Sequence, residues 1–171
     1  RLATGLKVNS AVDNSVAFFD AATLTGRATA LQLLKDDIDQ AVSSVQSAVD
    51  GIEAVEDIVE QMKGLALSAK SDSSSTNRSK AAVQFNDLKS QLDNLANDSS
   101  FKGTNLLKGS PGNLKITFSE DGSSTLTVSG VASDASALSI TTAAANWAAD
   151  TNVDFAVNDL DSALTTLRST A

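Results

Sequence analysis

From Leu31 onward apolar residues fall at alternating steps of three and four: Leu31, Leu34, Ile38, Ala41, Val45, Ala48, Ile52, Val55, Val59, Met62, Ala66 and Ala69. A repeat of about 3.5 residues keeps one seam of a helix turned toward a partner helix. No proline interrupts the run. The spacing predicts a helix over 27–70, roughly 65 Å long at about 1.5 Å per residue, too long for a compact domain of this size. Leu33, Val42, Val49, Ile58 and Leu65 widen the stripe beside the seam, and Ala within it lets helices approach closely. A wide stripe touches two neighbours, so the pattern predicts a bundle of three or more helices.

Elsewhere the pattern predicts shorter elements. Residues 1–15 read as an irregular opening loop, and 16–26 as a short helix that breaks at Gly26. A polar turn, Ser71-Asp72-Ser73-Ser74-Ser75-Thr76, leads to a second helix over 77–97, capped by Thr76 or Asn77 and seamed by Ala81, Phe85, Leu88, Leu92 and Leu95. So short a connection makes the two helices an antiparallel hairpin. Gly109-Ser110-Pro111-Gly112 is the strongest turn signal in the chain.

Leu114, Ile116 and Phe118 then alternate with polar residues, as do Leu126 and Val128. Two antiparallel strands follow from this period. A loop over 121–123 sets Phe118 opposite Leu126 and Ile116 opposite Val128, which keeps the apolar faces matched. Leu138 to Thr142 is read as a further strand. Helical spacing returns at Val153, Val157, Leu160, Leu164, Leu167 and Ala171. The expected fold is mainly α with a small β region: an elongated antiparallel rod of helices from 1–109 and 153–171, with 110–152 as a β-rich outer tip. An opening without Met and a seam unbroken at Ala171 lead to the expectation of a piece of a longer chain.

Composition narrows the function. The 171 residues contain no Cys and no His, which excludes disulfides, thiolate chemistry, and His as base or metal ligand. Aromatic residues make up 4%, too few for the usual walls of a ligand pocket. A net charge of -8 disfavours nucleic acid and anionic membrane as partners. No run of about 18 apolar residues is present to span a bilayer, and no apolar signal core follows Arg1. The acids Asp36, Asp37, Asp39, Glu53, Glu56, Asp57 and Glu60 fall mostly between seam positions, as a solvated face requires. The composition points to no enzyme, no cofactor and no metal. The many Ser and Thr over 119–142 read as the solvated faces of an ordinary β-tip, with hydroxyls open to modification or recognition as the alternative.

Several stretches together resemble bacterial flagellin. Arg1-Leu2-Ala3-Thr4-Gly5-Leu6-Lys7-Val8-Asn9-Ser10-Ala11 with Asp13-Asn14 is similar to the family's opening segment. Ile58-Val59-Glu60-Gln61-Met62-Lys63-Gly64-Leu65-Ala66-Leu67 is similar to its long helix. Leu92-Asp93-Asn94-Leu95-Ala96 followed by Phe101-Lys102-Gly103-Thr104-Asn105-Leu106-Leu107 is similar to the end of its second helix and the loop beyond. Leu160-Asp161-Ser162-Ala163-Leu164 resembles its returning helix. The matches cover roughly 1–108 and 155–168 in family order, while 110–152 matches nothing.

This resemblance implies a structural subunit of the extracellular flagellar filament, exported without a cleaved signal and polymerising head to tail through non-closing contacts. It implies other flagellin subunits, the export machinery and hook-associated proteins as partners. It assigns subunit contacts to Arg1, Leu2, Gly5, Asn9 and Asp13 in the opening loop, while core packing at Leu31, Leu34, Ile38, Val45, Ile52, Val55, Val59 and Met62 is what the apolar period itself predicts. The family's surface for the host Toll-like receptor maps onto Gln61, Leu65 and Gln84. Two charged residues of that pattern are neutral amides here, which implies weak receptor binding because charge-assisted hydrogen bonds are the stronger ones. A hook–filament junction protein of the same superfamily and a parallel coiled-coil adhesin or signalling stalk are the alternatives. Neither a β-tip nor a returning helix is needed by a stalk.

Overall fold

The computed structural model describes residues 10–12 and 14–171, and the opening-loop positions Arg1, Leu2, Gly5, Asn9 and Asp13 lie outside them. The chain is mostly helical. Helix α1 runs Ser15–Ser71, α2 runs Ser75–Asp98 and α3 runs Asp150–Thr170. Two hairpins lie between α2 and α3: β1 (Ser100–Phe101) with β2 (Thr104–Asn105), and β3 (Asn113–Thr117) with β4 (Thr125–Ser129). Among the described residues no helix is long and apolar enough to cross a membrane.

Two compact units emerge. One holds Val42–Leu114 and Thr127–Ala171; the other holds the described residues up to Ala41 together with Lys115–Leu126.

The larger unit is a three-helix arrangement around one core. A three-residue link, Asp72–Ser74, reverses the chain from α1 to α2, shorter than the six-residue turn expected. The cap is Ser74, not Thr76 or Asn77: its hydroxyl accepts the Asn77 N–H, while Asp72 accepts from the Ser74 N–H at 2.8 Å and the Asn77 amide at 2.9 Å. Those two bonds, the Ser74 one foremost, hold the Asp72 carboxyl below its ordinary value. Helix α3 runs antiparallel to α1. Three ion pairs mark the order: Glu60 with Arg168 at 3.1 Å, Lys63 with Asp161 at 2.5 Å and Lys70 with Asp154 at 2.6 Å. Such exposed pairs contribute only about 0–1 kcal/mol each, so they align the helices more than they stabilise them.

Stability comes from the seam. Ile52, Val55, Val59, Met62, Ala66 and Ala69 of α1 are buried against Ala82, Phe85 and Leu92 of α2 and Val153, Leu160, Ala163 and Leu167 of α3. Four of the eight predicted seam residues, Ile52, Val55, Val59 and Met62, are therefore core, while Leu34, Ile38 and Val45 are half-buried. Leu31 is a correction: it is 54% exposed. The reason is length. With 24 and 21 residues against 57 in α1, α2 and α3 cover only part of that seam.

Gly26 does not break α1, again contrary to the sequence expectation. Nothing lies within 4 Å of a side chain built there, and one glycine costs a helix only about 1 kcal/mol among good formers such as Ala, Leu and Arg. Gly51 has a different role. A Cβ there would meet the Leu107 Cδ1 and the Ser99 Oγ at 2.7 Å, so the loop after α2 lies directly on the helix backbone.

That loop is organised by Asn105, which is 5% exposed. Its amide donates to the carbonyls of Ala96 at 2.9 Å and Asn97 at 2.8 Å, and its oxygen accepts the N–H groups of Leu107 at 2.7 Å and Lys108 at 2.9 Å. One side chain thus ends α2 and turns the chain so that Leu106 and Leu107 enter the core. The β1–β2 hairpin before it, unforeseen in the sequence reading, uses Lys102 and Gly103 at positive φ of 47° and 84°, as a two-residue turn of the primed type demands.

At the tip of the second hairpin Gly122, with φ of 72°, donates to the Ser119 carbonyl, and Phe118 donates to that of Ser124. The loop is therefore 120–122, with glycine at its final, left-handed position. The expected register with loop 121–123 is displaced by two residues. Ile116 comes beside Leu126 and Leu114 beside Val128, so each apolar face is still matched. Leu138 to Thr142 forms no strand. Leu138 and Ile140 are buried, but Ser139 has φ of 58° and the segment makes local turns instead of a ladder.

Past this segment a 3-10 turn, Ala144–Trp147, precedes α3. Trp147 is fully buried and meets Phe85 edge to face, with ring centroids 5.0 Å apart. Ala145, Asn146 and Trp147 have φ of 48°, 49° and 54°. Left-handed backbone costs roughly 1–2 kcal/mol for each such residue, so the burial of the indole offsets considerable strain.

Candidate functional site

Of the grooves beside α1 in the larger unit, two lie on opposite sides of its second half. The first lies between α1 and α2. Gln61 and Leu65 are four apart on α1 and so stack on one face. Gln84, Leu88 and Gln91 repeat at steps of four and three on α2. Because the helices are antiparallel neighbours, these residues and Asp87 line a shallow groove of ≈ 410 Å³. Its floor is Leu65 and Leu88, both half-buried, and its rim is Gln61, Gln84, Asp87 and Gln91, all exposed. The structure thus brings together all three residues of the patch read from sequence, Gln61, Leu65 and Gln84. Asp87, Leu88 and Gln91 were missed, although the step from Gln84 to Leu88 and Gln91 was there to be counted.

The second groove lies between α1 and α3 and has a volume of ≈ 490 Å³. Glu60, Lys63, Asp161 and Arg168 line it as two ion pairs, and Leu67, 47% exposed, lies one turn beyond Lys63 on the same lining. It is charged where the first groove is amide-rich. Neither encloses a reacting centre. Among the described residues no group of three or more acidic side chains is placed to hold a metal ion.

In the smaller unit α1 carries exposed apolar side chains. Val16, Phe19, Leu24, Leu31 and Leu33 are between 54% and 69% exposed. The hairpin tip in the same unit approaches α1 through Arg27 and Glu120, whose charged atoms lie 3.4 Å apart. At the tip, hydrogen bonds from Ser119 and then Ser123 hold the Asp121 carboxyl at about 2, against an ordinary value of 3.8. That bonding organises the turn and leaves the carboxylate without acid–base capacity near neutral pH.

Residues 1–111 match the model of the bacterial flagellin N-terminal helical region. Flagellin FljO of Caulobacter vibrioides is 30% identical over 152 residues, which is 85% of this chain and 55% of that protein. A flagellin of Aquifex aeolicus is 31% identical over 131 residues, 75% of this chain and 25% of that protein. The crystal structure of Bacillus cereus flagellin superposes with a TM-score of 0.66 at 18% identity, covering 80% of this chain and 78% of that one. This chain spans about half the length of the Caulobacter relative.

Proposed function

Since the chain belongs to the bacterial flagellin family, we propose that it is a structural subunit of an extracellular flagellar filament, polymerising head to tail with other copies of itself. One observation carries the reading: the exposed apolar residues along the first part of α1, Phe19, Leu24, Leu31 and Leu33 among them. Apolar surface of this extent marks a protein–protein contact. A neighbouring subunit seated over Leu24 and Leu31, which are seven apart and share one side of the helix, would complete the seam that α2 and α3 leave bare. Non-closing contacts of this kind build an open helix. Export machinery and hook-associated proteins are the other partners on this reading, and the filament gives motility.

Electron microscopy of the native protein tests it. Filaments are expected, and Leu31→Glu should abolish them while the far-UV circular dichroism stays unchanged. A Leu31→Glu variant that still polymerises would refute the assignment of this face.

The α1–α2 groove supports a second, subordinate reading. Gln61, Leu65 and Gln84 line one surface, so they are available together to a host Toll-like receptor. The amides bind it weakly on this reading. Gln61→Arg with Gln84→Glu should strengthen receptor binding tenfold or more, from about 1.4 kcal/mol in total. No gain on restoring both charges would refute it.

A further inference from the structure

We propose that Ala143–Ala149 is a releasable latch, closed in this structure, whose opening presents the Arg78 guanidinium to a carboxylate on a second copy of the chain. The inference rests on the homopolymer reading above. It starts from three buried donors. Arg78 gives its Nη1 to Asp150 at 2.7 Å, but its Nε and Nη2 are buried with no hydrogen-bond partner among the described residues. Trp147 Nε1 is in the same condition. The Nε and Nη2 groups share one edge of the planar guanidinium, the edge that takes a carboxylate with two parallel bonds.

The same segment holds the strained backbone. Ala145, Asn146 and Trp147 are left-handed in succession, and none is glycine. Either side of them the chain is anchored: the Ala143 N–H donates to Asn86 at 2.9 Å and the Ala149 N–H to Asn152 at 3.3 Å. Asp150, the partner of Arg78, follows directly. Fixed ends with a strained middle make a segment that moves as a unit, and strain of this kind concentrates in switch regions. Indole burial against Phe85 holds the latch closed; three unpaired donors and three left-handed residues oppose it.

The chain's own carboxylates nearby are engaged. Asp72 accepts from Ser74 and Asn77, and Asp154 pairs with Lys70. A second copy supplies others in excess, since the chain has 21 acidic residues to 13 basic ones.

Trp147 is the single tryptophan, so its fluorescence reports the latch directly. Acrylamide quenching and emission maximum are to be compared between the monomer and filaments of the native protein. A red shift with a quenching constant at least threefold higher is expected in filaments. Filaments of Arg78→Met should keep the monomer's values, because Met fills the site without the two-donor edge. Asn146→Gly relieves the left-handed backbone without touching Arg78, and should lower quenching in the monomer; if Arg78→Met does not fold, this variant decides. Well-formed filaments with Trp147 as protected as in the monomer would overturn the latch alone. An unchanged quenching constant in Asn146→Gly, or an Arg78→Met filament that opens like the natural one, would do the same. Absence of any filament would overturn the homopolymer reading, and the latch with it.

Discussion

Replacing Asn105 by Leu tests whether one side chain ends α2 and seats the following loop. Leu shares the branched outline of Asn105 and is larger, so it opens no cavity for water and the change removes hydrogen bonding more than packing. Four bonds disappear. Two of them, to the Ala96 carbonyl and from the Leu107 N–H, are buried, and two, to Asn97 and from Lys108, are half-buried. A buried group left unpaired costs about 1–3 kcal/mol, whereas a bond that water can replace is worth about 1 kcal/mol. The sum is roughly 4–8 kcal/mol, and local relaxation together with the gain from a larger apolar side chain brings the expected loss to about 3–5 kcal/mol. At about 2–4 °C per kcal/mol for a chain of this size, the melting temperature should fall by about 6–20 °C. Thermal and urea unfolding followed by circular dichroism measure it. Asn97→Ala is the control, because its exposed side chain only donates to the Asp93 carbonyl. A loss below about 1 kcal/mol, or equal losses in the two variants, would refute the argument that Asn105 organises this corner.

Ile52 is 4% exposed in the middle of the seam, so Ile52→Asp should bury an unpaired charge and lose several kcal/mol, against about 0.5 kcal/mol or less for exposed Glu53→Ala; equal thermal shifts would contradict the seam. Asp121 titrates at about 2 in the folded chain against 3.8 ordinarily, so its hydrogen bonds support the hairpin tip fully above about pH 4 and are lost as pH falls through about 2. Carboxyl chemical shifts followed by NMR should show that midpoint, and one near 4 would mean that Ser119 and Ser123 do not bind it.

Much of this was legible in the sequence, and the exceptions have definite causes. The seam from Ile52 to Ala69 was plain because an apolar period names a helix face whatever covers it. What covers it is not written in the same residues, which is why Leu31 continues the period yet stays exposed. Gly26 looked like a stop because a glycine is a stop only where the chain also has somewhere else to go. In the β3–β4 hairpin the alternation determined which faces match, but two registers satisfy it, and the left-handed conformation at Gly122 selects between them. Leu138 and Ile140 have strand spacing, yet a lone segment with no ladder partner buries them through turns. Trp147 gave no sign of its left-handed approach, since no residue of that turn is glycine. Of the candidate site, the resemblance named Gln61, Leu65 and Gln84, and ordinary helix geometry accounts for their meeting. The opening-loop residues fall outside the described chain.

The α1–α2 groove also shows how such a surface can change without harm to the fold. Gln61 and Gln84 stand on the rim, exposed, while the neighbours that hold α1 to α2, Met62 and Phe85, are fully buried one residue further along each helix. A one-residue step turns a helix by about 100°, enough to separate rim from core completely. Exchanging a charged side chain for an amide at Gln61 or Gln84 therefore alters what the groove can bind and leaves the packing at Met62 and Phe85 as it was. Leu65 is different, since it is half-buried and packs against the same core. Whatever contact this groove makes can vary through its polar rim, while the leucine floor, which packs against the core, stays in place.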